Sequence, residues 1–201
     1  MKTLLHIGCG ASTIKQTTSE FNDGSWQEIR FDIDAKNKPD IIGNMTDLSA
    51  ISTESIDAIF SSHNIEHLFF HEVFTALSEF KRILKLNGFC IITCPDLQAV
   101  SALIAKDQLL NTAYQSPAGP ITPLDILYGH SQSIMQGNYH MAHRCGFTKN
   151  TLSQVLLQSS FTSVHIIQRP QQFDLWAVAC KTNVPLDYLL HLAKLHFPAS
   201  N

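Results

Sequence analysis

Charged residues are scarce in this sequence, and several features that would assign a function class directly are missing. Charged residues make up 15% of the chain and apolar residues 44%, which indicates a globular protein rather than a disordered one. The net charge of −3 and the lack of any Lys/Arg run argue against nucleic-acid binding through a basic surface. No apolar run approaches the roughly 18 residues of a membrane span, and no secretory apolar region follows Met1-Lys2. We therefore expect a cytoplasmic protein with no membrane partner.

Cysteine pairs at metal-ligand or redox spacing are also missing. The number of cysteines is five, which is odd, and no Cys-x-x-Cys occurs. Two of them, Cys90 and Cys180, fall inside apolar runs, which is typical of buried free thiols in a reducing compartment. A length of 201 residues fits one domain spanning 1–201 with a full core.

Short apolar runs alternate with helical patterns along the chain. This alternation is typical of an α/β, Rossmann-like, doubly wound parallel sheet with helices on both faces. Residues 113–146 are rich in Pro, Gly, Tyr and His, and we interpret them as an irregular, partly helical cap insertion over the sheet edge. We predict strands at 3–8, 28–33, 40–43, 56–62, 89–94, 164–168 and 176–181, and helices at 66–86, 96–110, 149–160 and 186–196.

The most informative motif is the turn Gly8-Cys9-Gly10, which directly follows the first apolar run. Glycine carries no Cβ, so such a turn lets the backbone approach a ligand closely. Asp32 ends the second strand, 22 residues after Gly10, close to the spacing at which nucleoside-binding folds place a carboxylate on the ribose hydroxyls. The two features together predict a site for an adenosine-containing cofactor.

The turn lacks one residue of the dinucleotide fingerprint, because Thr13 stands where the third glycine of G-x-G-x-x-G belongs. That glycine allows tight packing around a pyrophosphate, a group that S-adenosylmethionine does not have. The cofactor prediction therefore shifts toward S-adenosylmethionine, with NAD as the alternative. Residues that follow predicted strand ends should surround the same crevice, namely 8–10, Asp32, 44–46 and 61–64.

Six segments, in order and at suitable spacing, resemble class I S-adenosylmethionine-dependent methyltransferases over nearly the full length. The resemblance implies a seven-stranded sheet whose last strand is antiparallel, and S-adenosyl-L-methionine as cofactor, with S-adenosyl-L-homocysteine as product. The matching segments are 6–10 (HIGCG), 31–34 (FDID), 42–48 (IGNMTDL), 56–68 (IDAIFSSHNIEHL), 80–96 (FKRILKLNGF with TCPD) and 143–148 (HRCGFT).

The resemblance also implies the roles of individual residues. Gly8, Cys9 and Gly10 would line the methionine portion, and Asp32 would bind the ribose hydroxyls with Ile33 beside it. His6 stands where the family usually has an acidic residue near the methionine ammonium group, and Asn44 stands where Asp is common. The remaining cofactor-binding candidates are Asn44, Met45 and Thr46 at adenine, and Ser61, Ser62 and His63 under the sulfonium.

Histidines offer a competing chemistry. The segment His63-Asn-Ile-Glu66-His67 matches the H-x-x-E-H signature of zinc proteases, with His140 and His143 as further ligand candidates. That signature requires a helix, whereas His63 follows directly on a strong strand. We favour the interpretation that His67 packs near the start of the helix and that His63 lines the crevice, and we expect no metal ion in the site.

Methyl transfer mainly requires that the acceptor is aligned with the methyl group, and sometimes that a general base deprotonates the acceptor. The candidate catalytic residues are His63, Tyr128 and His143. The Asn-Pro-Pro-Tyr signature of amino-group methyltransferases on nucleic acid or protein is absent, and Cys-Pro-Asp stands in its place. This favours a small-molecule acceptor. The alternatives are a non-catalytic protein that binds S-adenosylmethionine and a zinc hydrolase, and the exposed insertion is suited to a homodimer contact.

Overall fold

The computed structural model describes residues 1–198, which contain nine strands and six α-helices. The helices are α1 (Phe70–Ile83), α2 (Leu97–Ile104), α3 (Pro123–Tyr128), α4 (Ser131–Met135), α5 (Lys149–Gln158) and α6 (Leu186–His196). The strands are β1 (Lys2–Ile7), β2 (Trp26–Asp32), β3 (Ile41–Ile42), β4 (Ile56–Ser62), β5 (Leu84–Pro95), β6 (Tyr114–Ser116), β7 (Gly119–Ile121), β8 (Ser163–Arg169) and β9 (Asp174–Cys180).

Seven of the strands form one sheet in the order β3-β2-β1-β4-β5-β9-β8. The pairs among β1 to β5 are parallel, whereas β9 runs antiparallel to both β5 and β8. This confirms the predicted Rossmann-like sheet with an antiparallel last strand. The order reverses at β1, so the carboxyl ends of β1 and β4 meet at the switch point where such sheets bind ligands.

Successive residues of the central strands point into two separate cores, one on each face of the sheet. Leu5 and Ile59 pack with α1 and α5, whereas Leu4 and Phe60 pack with Phe21 and α6. A strand places neighbouring side chains on opposite faces, so a nearly continuous apolar run serves both layers at once. The two covered faces hold the crevice edge of the sheet rigidly in place.

The first long helix is shorter than the predicted 66–86. Residues Ile65–His67 form a separate 3-10 turn, α1 ends at Ile83, and Leu84 already pairs with Ile56 in the sheet. Leu84 is fully buried in the strand, as it would also be on the apolar stripe of the helix. The helical periodicity of apolar residues therefore continues past the true end of α1, and only the pairing with β4 shows where the helix ends. The predicted helix at 96–110 likewise ends early, at Ile104.

Residues 113–146 form the β6-β7 hairpin, α3, α4 and a 3-10 turn, Tyr139–Met141. The segment is joined at its far end to the 3-10 turn that follows β4, where the backbone N–H groups of Arg144 and Cys145 donate to the Glu66 carbonyl. All five cysteines lie within the described residues and are unpaired. Within residues 1–198, no helix has the length and apolar character needed to cross a membrane.

Candidate functional site

A cavity of about 390 Å³ opens at the carboxyl ends of β1, β2 and β4, with part of the 113–146 segment along one side. Ligand pockets typically span about 300–1,000 Å³, so this one has the size of a small-molecule site. The 113–146 segment contributes Asn138, His140, Met141 and Arg144 to the lining. The lining includes eight of the predicted cofactor residues, namely Gly8, Gly10, Asp32, Ile33, Asn44, Met45, Ser62 and His63.

The glycine turn depends on its two glycines for different reasons. Both have positive φ, 62° at Gly8 and 54° at Gly10, a conformation that other residues adopt at a cost of about 1–2 kcal/mol. A Cβ on Gly8 would lie 1.8 Å from Oδ1 of Asn64, whereas a Cβ on Gly10 would meet nothing within 4 Å. The Asn64 amide donates to the carbonyls of Ile7 and Ser62 at 2.9 and 3.0 Å. Asn64, which sequence reasoning placed at the crevice without a role, therefore locks the turn against β4.

Asp32 joins the glycine turn to the end of β2. Its carboxylate accepts hydrogen bonds from the Gly10 and Asp34 backbone N–H groups, at 2.7 and 2.8 Å, and from Nδ2 of Asn37 at 3.2 Å. The residue is only 6% exposed, but it still lines the cavity. A carboxylate offers about four acceptor sites, so these three bonds leave capacity for a ligand hydroxyl.

Arg30 holds two loops together behind the site. Its guanidinium donates to the carbonyls of Gly10 and Ser12 on the glycine-turn side and to those of Asn37 and Lys38 in the β2–β3 loop. The rigid fork of the guanidinium suits this work, because it offers several donors in one plane. The sequence contains no motif for this role.

Apolar side chains line the β2–β3 side of the cavity. Ile33 is 45% exposed although Phe31 and Asp32 before it are buried, and it lines the cavity together with Met45 and Phe31. Asn44 also lines the cavity, and its Oδ1 accepts a hydrogen bond from the Thr46 N–H at 3.1 Å. Thr46 thus supports Asn44 and is not itself among the described lining residues.

Three other predicted cofactor residues also lie outside the described lining. His6 is buried, with Nδ1 2.8 Å from Oε1 of Glu28 and its ring edge-on to Phe60. Cys9 is buried with Sγ toward the Gly10 carbonyl, and burial raises the pKa of its thiol to about 11. Ser61 is fully buried, 3.4 Å from the Asn64 amide. Each of these side chains lies in the protein interior next to the cavity wall and not on its surface.

The three candidate catalytic residues separate in the structure. His63 has a φ of 55°, its side chain is 47% exposed, and it lines both the main cavity and a smaller one of about 140 Å³. His143 lines only the smaller cavity, and its Nδ1 contacts the Ile126 carbonyl at 2.9 Å. Tyr128 is 60% exposed and is not among the described residues that line either cavity.

The smaller cavity contains a buried acid among imidazoles. Burial raises the pKa of Glu66, but His63, 3.4 Å away, together with the charges of His67 and His143, outweighs it, and the net direction is downward. Burial lowers the pKa of His63, but the Glu66 carboxylate outweighs it, so that pKa is raised. Burial is the largest influence on His143, whose pKa is lowered. Because residues 65–67 form a 3-10 turn directly after a strand, the helix that the zinc-protease signature requires does not form.

Comparison with known proteins agrees with this geometry. Residues 5–92 match the family model of a methyltransferase domain. No curated protein sequence matches the chain.

Solved structures resemble the whole fold at low sequence identity. A SAM-dependent methyltransferase from Archaeoglobus fulgidus aligns with a TM-score of 0.58 at 15% identity, covering 89% of this chain and 85% of that one. A 1,6-didemethyltoxoflavin-N1-methyltransferase from Burkholderia thailandensis, with 1,6-didemethyltoxoflavin and S-adenosylhomocysteine bound, aligns with a TM-score of 0.55 at 14% identity, covering 90% of this chain and 71% of that one. A phosphoethanolamine N-methyltransferase from Haemonchus contortus, in complex with S-adenosylmethionine, gives 0.52 at 16% identity over 86% and 36%. Residues 5–92 are thus similar to a methyltransferase domain, and the solved structures share the fold of most of the chain.

Proposed function

We propose that the chain binds S-adenosylmethionine in the main cavity and transfers its methyl group to a small-molecule acceptor. The observation that carries this proposal is the convergence of the Gly8–Gly10 turn, the Asp32 carboxylate and apolar Ile33 and Met45 on one cavity of about 390 Å³. The methionine end of the cofactor requires a backbone that approaches closely, the ribose requires an acid, and the adenine requires an apolar slot.

In this arrangement each part of the cofactor meets a different strand end. The methionine portion lies along Gly8 and Gly10, the ribose hydroxyls donate to Asp32, and adenine packs on Ile33 and Met45 with Asn44 at its edge. The sulfonium then lies near Ser62 and His63, beside the opening between the two cavities. His6, Cys9, Ser61 and Thr46 support these residues without touching the cofactor.

The smaller cavity is the proposed place for the accepting group. His63, His67 and Met141 line both cavities, so the smaller one adjoins the proposed sulfonium position. A volume of about 140 Å³ suits a small group rather than a polymer segment. His63 is the proposed general base, and Tyr128, which is mostly exposed, is the weakest of the three candidates.

Calorimetric titration with S-adenosylmethionine, S-adenosylhomocysteine and NAD tests the proposed site. We expect the first two to bind and NAD not to bind. Asp32→Ala should weaken binding of S-adenosylmethionine by about tenfold or more, because bonds to a charged acceptor contribute about 1.5–3 kcal/mol.

Asp57→Ala is the matched control for this experiment. Asp57 also accepts a backbone N–H, from Thr3 at 2.8 Å, and a side-chain donor, Nζ of Lys85 at 2.8 Å, but it lies at the amino end of β4. The affinity of this variant should stay at the wild-type value. Equal affinities in the two variants, or saturable NAD binding, would overturn the assignment.

A further inference from the structure

The Glu66 carboxylate is buried without a hydrogen-bond donor. Its side chain is 1% exposed, and neither Oε1 nor Oε2 receives a hydrogen bond from any residue in 1–198. The nearest cationic group there, Nδ1 of His63, is 3.4 Å from Oε1 but does not meet hydrogen-bond geometry. A buried charge is stable only when it is paired or coordinates a metal, and the charge contact with His63 still leaves both carboxylate oxygens without a hydrogen-bond donor.

Two imidazoles face the same point. Glu66, His67 and His143 each offer a ligand atom, and these atoms all lie within 4.8 Å of one another. His67 comes from the turn after β4, whereas His143 comes from the cap segment across the cavity. The three side chains thus converge from two parts of the chain that are far apart in sequence.

Backbone carbonyls orient both imidazoles. Nδ1 of His67 lies 3.2 Å from the Ala142 carbonyl, and Nδ1 of His143 lies 2.9 Å from the Ile126 carbonyl. A carbonyl oxygen only accepts, so both Nδ1 atoms carry the proton and both Nε2 atoms keep a free lone pair. A bond of this kind on the second ring nitrogen is typical of histidines that bind metals.

We propose that Glu66, His67 and His143 bind a divalent transition-metal ion, and that this ion coordinates a hydroxyl oxygen of the methyl acceptor. Two imidazole nitrogens and one carboxylate oxygen form the ligand set of catalytic zinc sites, which keep a further position for water or substrate. This set differs from the zinc-protease interpretation, because Glu66 is a ligand here instead of a base and His63 is not a ligand. It also departs from our expectation of a site without metal.

The part of the inference that concerns the acceptor rests on the proposed function. A hydroxyl coordinated to such an ion would have a lowered pKa and would lose its proton to His63, the proposed general base, and its oxygen lone pair would then form the O–CH₃ bond. The S–CH₃ bond breaks with its electron pair on sulfur, which leaves S-adenosylhomocysteine. The acceptor class that fits this cavity is therefore a small molecule with a free hydroxyl group.

Metal binding is measurable without any turnover. Protein freed of metal with a chelator is titrated with Zn²⁺ by calorimetry, and the metal content is counted after dialysis. We expect one ion per chain in the wild type and a loss of affinity of at least about 100-fold in Glu66→Gln, since even outer residues of metal sites change affinity by about 10–100-fold. His143→Gln is the second variant and should show the same loss while leaving the strand-end turn intact.

His130→Gln is the matched control. His130 lines the same cavity, but its Nδ1 contacts Oγ of Ser133 at 2.8 Å and it lies outside the three-residue cluster. Its Zn²⁺ affinity should stay within about twofold of the wild type. No binding by the wild type, or wild-type affinity in both Glu66→Gln and His143→Gln, would overturn the metal site. Titration of the same metal-free protein with S-adenosylmethionine reports on the proposed function separately.

Discussion

Replacing Gly8 by alanine should be far more damaging than replacing Gly10 in the same way. Both positions have positive φ, so each substitution costs about 1–2 kcal/mol for the left-handed backbone alone. At Gly8 the new Cβ would also lie 1.8 Å from Oδ1 and 2.2 Å from Cγ of Asn64, which must move. At Gly10 the Cβ meets nothing within 4 Å.

The displacement of Asn64 determines how much more stability Gly8→Ala loses than Gly10→Ala. Its amide would lose hydrogen bonds to the carbonyls of Ile7 and Ser62, and leaving such buried groups unpaired costs about 1–3 kcal/mol. We therefore expect Gly8→Ala to lower the free energy of unfolding by roughly 2–5 kcal/mol and Gly10→Ala by roughly 1–2 kcal/mol.

Urea unfolding of five proteins, one of them Gly10→Ala, tests this reasoning without any ligand. The wild type and Gly8→Ala are compared in the native background and in the Asn64→Ala background, which removes all three clashing atoms. In that background Gly8→Ala should cost only about 1–2 kcal/mol, which corresponds to a coupling energy of about 1–3 kcal/mol between the two sites. If Gly8→Ala and Gly10→Ala destabilise equally, or the coupling energy is near zero, the proposed contact is wrong.

Two further predictions concern protonation and loop support. Burial, with a smaller effect of the Lys2 charge, lowers the pKa of His196 from 6.5 to about 4, so the unfolded chain binds more protons between these values. The free energy of unfolding should therefore fall by roughly 3 kcal/mol as the pH drops through that window. Urea unfolding from about pH 7 to pH 4.5 should show that this free energy declines less steeply with falling pH in His196→Gln than in the wild type. Arg30→Ala should weaken S-adenosylmethionine binding about tenfold by calorimetry, because four carbonyls of the site loops lose their donor. Arg82→Ala, which frees the carbonyls of Leu48 and Ile51 away from the cavity, should lower stability with unchanged affinity; the same loss of affinity in both variants would contradict the role of Arg30.

Elements whose ends are encoded locally were predictable. β4 spans Ile56–Ser62 and α6 spans Leu186–His196, both with the predicted bounds. The helix predicted after Thr148 also forms, since the Thr148 hydroxyl accepts the Thr151 N–H at its start. These signals depend on neighbouring residues and so can be read along the chain.

The face of the sheet to which each side chain of a buried strand points was not predictable. His6 and Ser61 are next to strand ends at the crevice, yet both side chains are buried away from the described lining. Strands covered on both faces carry apolar residues on both sides, so their sequence contains no alternation that tells one side from the other. The register of β1 with β2 and β4 decides which residues reach the cavity.

The sequence by itself determined the fold class and the position of the crevice at the strand ends. Parallel strands joined by helices bring their carboxyl ends to one edge, so glycines and acids that follow those strands must meet there. The tertiary structure alone decided that Asn64 locks Gly8, that Arg30 ties two loops, and that His143 reaches Glu66 and His67 from the cap segment. Those contacts join residues far apart in the chain, and no local pattern of residues encodes the distance between them.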